Sequence, residues 1–82
     1  MNSADQQTII AFIASNYPLG GNIDAETELV RSEIIDSYGI VQMIQFLEDS
    51  FAINFPDEDI TPDNFRTAKA IADCVARIRN SA

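Results

Sequence analysis

Between positions 34 and 51 the apolar residues recur with the period of an α-helix, and this stretch limits the fold more than any other part of the chain. On a wheel of about 100° per residue starting at Ile40, the residues Ile40, Met43, Ile44, Leu47 and Phe51 gather on one side. That side is the expected core face. Asp36 is a good N-cap for the helix, and Ser37 falls in its first turn. Tyr38, Val41, Gln42, Gln45, Glu48 and Asp49 fall on the other side. A helix that only packs inward keeps its outer face polar. Here Tyr38 and Val41 stand close to Ser37, which suggests a surface that other proteins read. Single exposed apolar residues are also ordinary, so the pattern alone leaves both readings open.

The segments on either side are helical too. Ser3 and Gln6 fit a capping box, so a first helix is expected from Ala4. Ile9, Phe12 and Ile13 share one of its faces, with Ile10 on the flank. Tyr17-Pro18-Leu19-Gly20-Gly21 should end it, because proline cannot continue the helix and glycine frees the chain. Residues 22 to 35 begin polar, and then Leu29, Val30, Ile34 and Ile35 follow without a clear period. They read as an ordered loop pinned to the core, with room for a short helical turn.

Beyond the central helix, Ala52 to Pro56 reads as a short extended connector. The acidic run from Asp57 to Asp63 invites a calcium reading and fails it. Pro62 stands where an EF-hand needs glycine, and Ala68 where it needs a bidentate acid. Thr61 as N-cap with Pro62 behind it predicts a one-turn helix through Phe65. Thr67 should cap a last helix whose inner face carries Ala68, Ile71, Cys74, Val75 and Ile78. Lys69, Asp73 and Arg77 should point outward. No segment alternates as a strand does. The expected fold is all-α, a small bundle of three main helices plus one short helix, in a single domain spanning residues 1–82.

Charge and cysteine content narrow the function. Thirteen acids against five basic residues give a net charge of −8, which repels nucleic acid and anionic membranes and favours basic protein surfaces. Solubility alone would also account for the acidity. Cys74 is the only cysteine, so no intrachain disulfide forms, and at its position it reads as a small core residue. There is no histidine to activate Ser37 or to join a metal site. A self-contained enzyme is not expected. The opening residues lack a signal-peptide pattern and no apolar run reaches membrane-spanning length, so the expected compartment is cytoplasmic. A monomer is expected.

Asp36-Ser37 followed by a helix ending in Leu47-Glu48-x-x-Phe51 resembles the acyl carrier and peptidyl carrier proteins. Thr27-x-Leu29 before it is similar to that family's loop leading to the serine. Ile53-x-Phe55-Pro56-Asp57-Glu58-Asp59 and Asn64-Phe65-x-Thr67 are similar to its later segments, so the likeness runs from about residue 22 to residue 75. The resemblance implies an acyl-carrier-protein-like bundle and a covalent 4′-phosphopantetheine arm on Ser37. Asp36 would assist the transfer step by helping to place Mg²⁺, a metal belonging to the transferase complex. A phosphodiester at Ser37 would sit near the positive end of the helix, worth about 0.3–1 kcal/mol, with Asp36 opposing it by like charge. The arm's thiol would hold an acyl or aminoacyl group as a thioester. The implied partners are a phosphopantetheinyl transferase, an acyl- or aminoacyl-loading ligase, and a downstream transferase or synthase. Tyr38, Val41, Gln45, Glu48 and Asp49 would form the docking surface.

Some positions depart from the family pattern. Tyr38 replaces the usual leucine or methionine, and Gln42 and Gln45 make the helix less acidic than in carriers of bulk fatty-acid synthesis. Glu33 and Ala52 stand where the family commonly has glycine. These departures favour a discrete carrier of a specialised biosynthetic pathway. A general carrier of fatty-acid synthesis is the alternative, and an unmodified acidic helical adaptor is a third reading from another class.

Overall fold

In the computed structural model of the chain, residues 3–17 and 21–81 are described. Three α-helices lie among them: α1 (Ser3–Asn16), α2 (Ser37–Phe51) and α3 (Ala68–Ser81). A single 3-10 turn, Asp57–Asp59, precedes α3. Among the described residues there is no strand, and the all-α bundle of three main helices plus one short helix is the observed fold.

Helix α1 includes Ser3, one residue earlier than the capping pattern predicts, and the Ser3 side chain lies outside the described residues. Ile9 and Ile13 are fully buried, and Ile10 and Phe12 pack against the core from its edge. The helix ends at Asn16 as expected, and one further bond from Tyr17 N–H to the Ile13 carbonyl (3.0 Å) turns Tyr17 into the core. Pro18, Leu19 and Gly20, the predicted helix breakers, lie outside the described residues.

Helix α2 buries Met43 and Leu47 completely, while Ile40, Ile44 and Phe51 are half-buried. The predicted inner stripe is therefore real, but its centre runs through Gly39, Met43 and Leu47. Phe46, which the wheel did not place, stacks on Phe12 of α1 with ring centroids 3.9 Å apart. Helices α1 and α3 share the most extensive backbone contact, and the Phe12–Phe46 pair joins α2 to α1.

The loop over residues 22–35 is ordered. Leu29 and Ile35 are buried, with Val30 and Ile34 partly so. Its backbone is bonded to the start of the last helical segment: Leu29 N–H donates to the Arg66 carbonyl (2.7 Å) and Lys69 N–H to the Ala25 carbonyl (2.9 Å). Ile34 and Ile35 N–H both donate to the Leu29 carbonyl, so turn bonds hold this half-buried stretch without a helix.

The short helix is displaced from its predicted place. Residues 61–65 form a capped turn: Asn64 N–H meets both the Thr61 carbonyl (3.2 Å) and Oγ1 (3.3 Å), and Phe65 N–H meets the Thr61 carbonyl (3.3 Å). The chain tightens earlier, directly after Pro56, where Asp59 N–H donates to the Pro56 carbonyl (3.0 Å). Proline fixes φ at −66° there and starts the 3-10 turn, leaving Thr61 to cap a turn that stops when Phe65 is buried against Phe55. Thr67 caps α3 as expected, its Oγ1 accepting from Ala70 N–H (3.0 Å). Ala68, Ile71, Cys74 and Val75 are buried, together with Ala72, and Ile78 packs at the edge.

Candidate functional site

The site begins at the N-terminus of α2. Asp36 is in extended conformation (φ −103°, ψ −171°), and its Oδ1 accepts from Gly39 N–H at 2.8 Å. One of the orphan donors of the first turn is satisfied in this way. Ser37 is the first helical residue and is exposed.

Beneath the serine the turn is closely packed. Gly39 is buried, and its carbonyl accepts a hydrogen bond from the Tyr17 hydroxyl (2.8 Å). A Cβ at Gly39 would stand 3.0 Å from Tyr17 Cε1 and 3.2 Å from Ile35 Cγ2. Burial pushes the Tyr17 hydroxyl up to about 12, with the Asp36 carboxylate adding to the effect. Neither Tyr17 nor Gly39 was legible as part of the site, because their contact joins residues 22 positions apart. A glycine inside a helical pattern was the available signal.

Tyr38 is 71% exposed and Val41 61%, so Tyr38 does not fold down onto Ile34 and Ile35. Gln42, Gln45 and Asp49 are exposed along the same helix. From Ser37 to Asp49 the helix rises about 18 Å, so Asp36, Ser37, Tyr38 and Val41 cluster at one end while Asp49 lies far from the serine. Glu48 differs from its neighbours. It is half-buried, and its Oε2 accepts from Phe55 N–H (3.0 Å), which ties α2 to the connector. A shallow cleft of about 400 Å³ beside Ser37 is lined by Val30, Ile35, Ile40 and Pro62, with Glu33 and Asp36. A larger open groove, about 850 Å³, lies at the other end of α2 between Phe51–Asn54 and Arg77–Asn80, away from the serine.

The two departures at glycine positions have a backbone counterpart. Glu33 has φ 61° and Ala52 φ 54°, both in the left-handed region that favours glycine. Ala52 is the C-cap of α2. Each side chain there costs on the order of 1–2 kcal/mol relative to the right-handed region.

The chain is 26% identical over 76 residues to a protein of Serratia sp. (strain ATCC 39006) described as "Probable acyl carrier protein PigG". The match covers 90% of this chain and 87% of that protein. The similarity runs along most of both chains, and the all-helical fold described above is consistent with it. No family model matches the chain. Among the described residues no helix is long and apolar enough to cross a membrane.

Proposed function

We propose that the chain is a carrier domain whose Ser37 takes a 4′-phosphopantetheine arm, and that it presents acyl or aminoacyl cargo to the enzymes of a specialised biosynthetic pathway. The observation that carries the reading is Ser37 itself, exposed at the first position of α2 beside the capping carboxylate of Asp36. During attachment the Ser37 Oγ bonds to the phosphorus next to pantetheine as the pyrophosphate of coenzyme A breaks. The adenosine bisphosphate part leaves, and the hydroxyl proton passes to a base of the transferase. When attached, the arm supplies a terminal thiol that carries the cargo as a thioester.

The residues of this chain then bind and orient. Tyr38 and Val41 offer apolar anchors next to the arm, and the acidic surface favours basic partners such as the transferase and the loading ligase. Tethering keeps the cargo at high local concentration at each enzyme visited. The exposed Gln42 and Gln45 on the outer side of α2 favour a specialised pathway over bulk fatty-acid synthesis.

Incubation with coenzyme A and a broad-specificity phosphopantetheinyl transferase, followed by intact-mass measurement, tests the assignment. One arm is expected on the wild type and none on Ser37→Ala. An alanine variant that still gained the arm would refute Ser37, and a wild type that stayed unmodified would favour the adaptor reading.

A further inference from the structure

We propose that Tyr17 is a positioning residue for arm attachment, one that holds the first turn of α2 from below so that Ser37 is presented in a single geometry. The inference rests on the reading of Ser37 as the attachment site.

Both backbone groups of Gly39 are held by side chains. Its N–H donates to Asp36 Oδ1 (2.8 Å), and its carbonyl accepts from the Tyr17 hydroxyl (2.8 Å). Between Asp36 and Gly39 stand only Ser37 and Tyr38, both exposed. Two exposed residues have little packing of their own to fix them, so the turn takes its geometry from the residues that flank it. A glycine weakens a helix by about 1 kcal/mol relative to alanine, and the first turn lacks part of the hydrogen-bond ladder. Left to itself, this turn would fray.

The ring and the hydroxyl of Tyr17 act separately. The ring reaches the turn only because Gly39 has no side chain: a Cβ there would meet Tyr17 Cε1 at 3.0 Å. Phe12 meets the same ring edge-on at 5.8 Å and fixes it from the α1 side. Packing alone would be served equally by phenylalanine, which has no hydroxyl to desolvate. The hydroxyl is instead spent on a carbonyl of the turn that carries the serine. Nucleophile placement enters the rate of group transfer directly, whereas capture of the carrier depends on the outer residues.

The test compares wild type, Tyr17→Phe and Gly39→Ala as substrates of a broad-specificity phosphopantetheinyl transferase, with amide exchange at Gly39 and Ile40 followed on the unmodified proteins. Tyr17→Phe keeps the ring and should remain folded, with kcat reduced about three- to tenfold and KM for the carrier within about twofold of wild type. Its Gly39 and Ile40 amides should exchange faster. Gly39→Ala should lower kcat as well by displacing the ring, although alanine is the better helix former. Unchanged kcat and exchange in Tyr17→Phe, or an effect confined to KM, would overturn the inference while leaving Ser37 in place. So would a Gly39→Ala variant with wild-type kcat. No arm on the wild type would overturn the Ser37 reading and this inference together.

Discussion

Along α2, Gly39, Met43 and Leu47 are buried, while Tyr38 and Val41, one or two residues away from them, stand in solvent. The inner line is anchored by other elements: Tyr17 at Gly39 and the core cluster around Met43 and Leu47. The outer line makes few demands on the fold, so its residues are free to serve recognition. The helix thus separates two kinds of mutational effect by face, and Glu48 is where the separation fails. It lies on the predicted outer face yet holds the amide of Phe55.

The largest effect should fall on activity alone. Ser37→Ala is expected to abolish arm attachment in the mass assay while changing stability by less than about 0.5 kcal/mol, as exposed substitutions usually do. A lowered denaturant midpoint in that variant would mean that the serine also serves the fold. Leu47→Ala is the opposite case. Fully buried at the centre of the inner line, it should cost about 2–5 kcal/mol in denaturant unfolding, a large share of the stability of a domain this size. A wild-type midpoint would place the core face elsewhere.

Alkaline unfolding probes the inner side of the first turn. Burial, with the Asp36 carboxylate adding to it, pushes the Tyr17 hydroxyl up from 10.0, the ordinary tyrosine value, to about 12 in the folded protein. The folded chain therefore keeps the proton longer than the unfolded one. The contribution is fully present below pH 10 and is lost as pH rises towards about 12. Tyr17→Phe should lose this share of the alkaline destabilisation, which pH-dependent melts of the two proteins would reveal. Parallel curves would contradict it.

Outer substitutions should be milder. Tyr38→Ala or Val41→Asp is expected to slow loading or transfer about fivefold or more, the scale of a truncated interface anchor, with melting unchanged. Normal kinetics with reduced stability in Tyr38→Ala would assign that residue to packing. Charge reversal sharpens the comparison further. Asp49→Lys should reduce only the association rate, chiefly at low salt, whereas Glu48→Lys should also lower stability because it orphans Phe55 N–H. Equal stability of the two variants would show that the Glu48 bond contributes nothing.

Much of this division was legible in the sequence. A period near 3.6 identified the members of the α2 stripe, and the Asp36 and Thr67 caps were readable because capping is local chemistry. The pair Asp36-Ser37 stood out through its resemblance to a known family. Features set by distant contacts were hidden. Phe46 finds Phe12, Glu48 finds Phe55 N–H, and Tyr17 finds Gly39 only after the helices pack. The misplaced short helix was a local error of another kind. Pro56 and Thr61 offer competing start signals within five residues, and propensity alone does not rank them. Glu33 and Ala52 depart from glycine in the sequence, and their positive φ angles give the departure its physical content.

Cys74 has a practical consequence for anyone who follows the cargo. It is the only sulfhydryl in the chain; its side chain is fully enclosed between α3 and the core, and burial pushes its thiol up, with Asp59 adding to the rise and Arg77 opposing it. The folded polypeptide is therefore nearly silent towards mild thiol reagents. Any sulfhydryl that reacts within seconds under native conditions would belong to an attached prosthetic group, and its disappearance would record acylation. If Ser37 carries the proposed arm, a colorimetric titration would therefore count loaded and unloaded molecules with every residue of the chain in place.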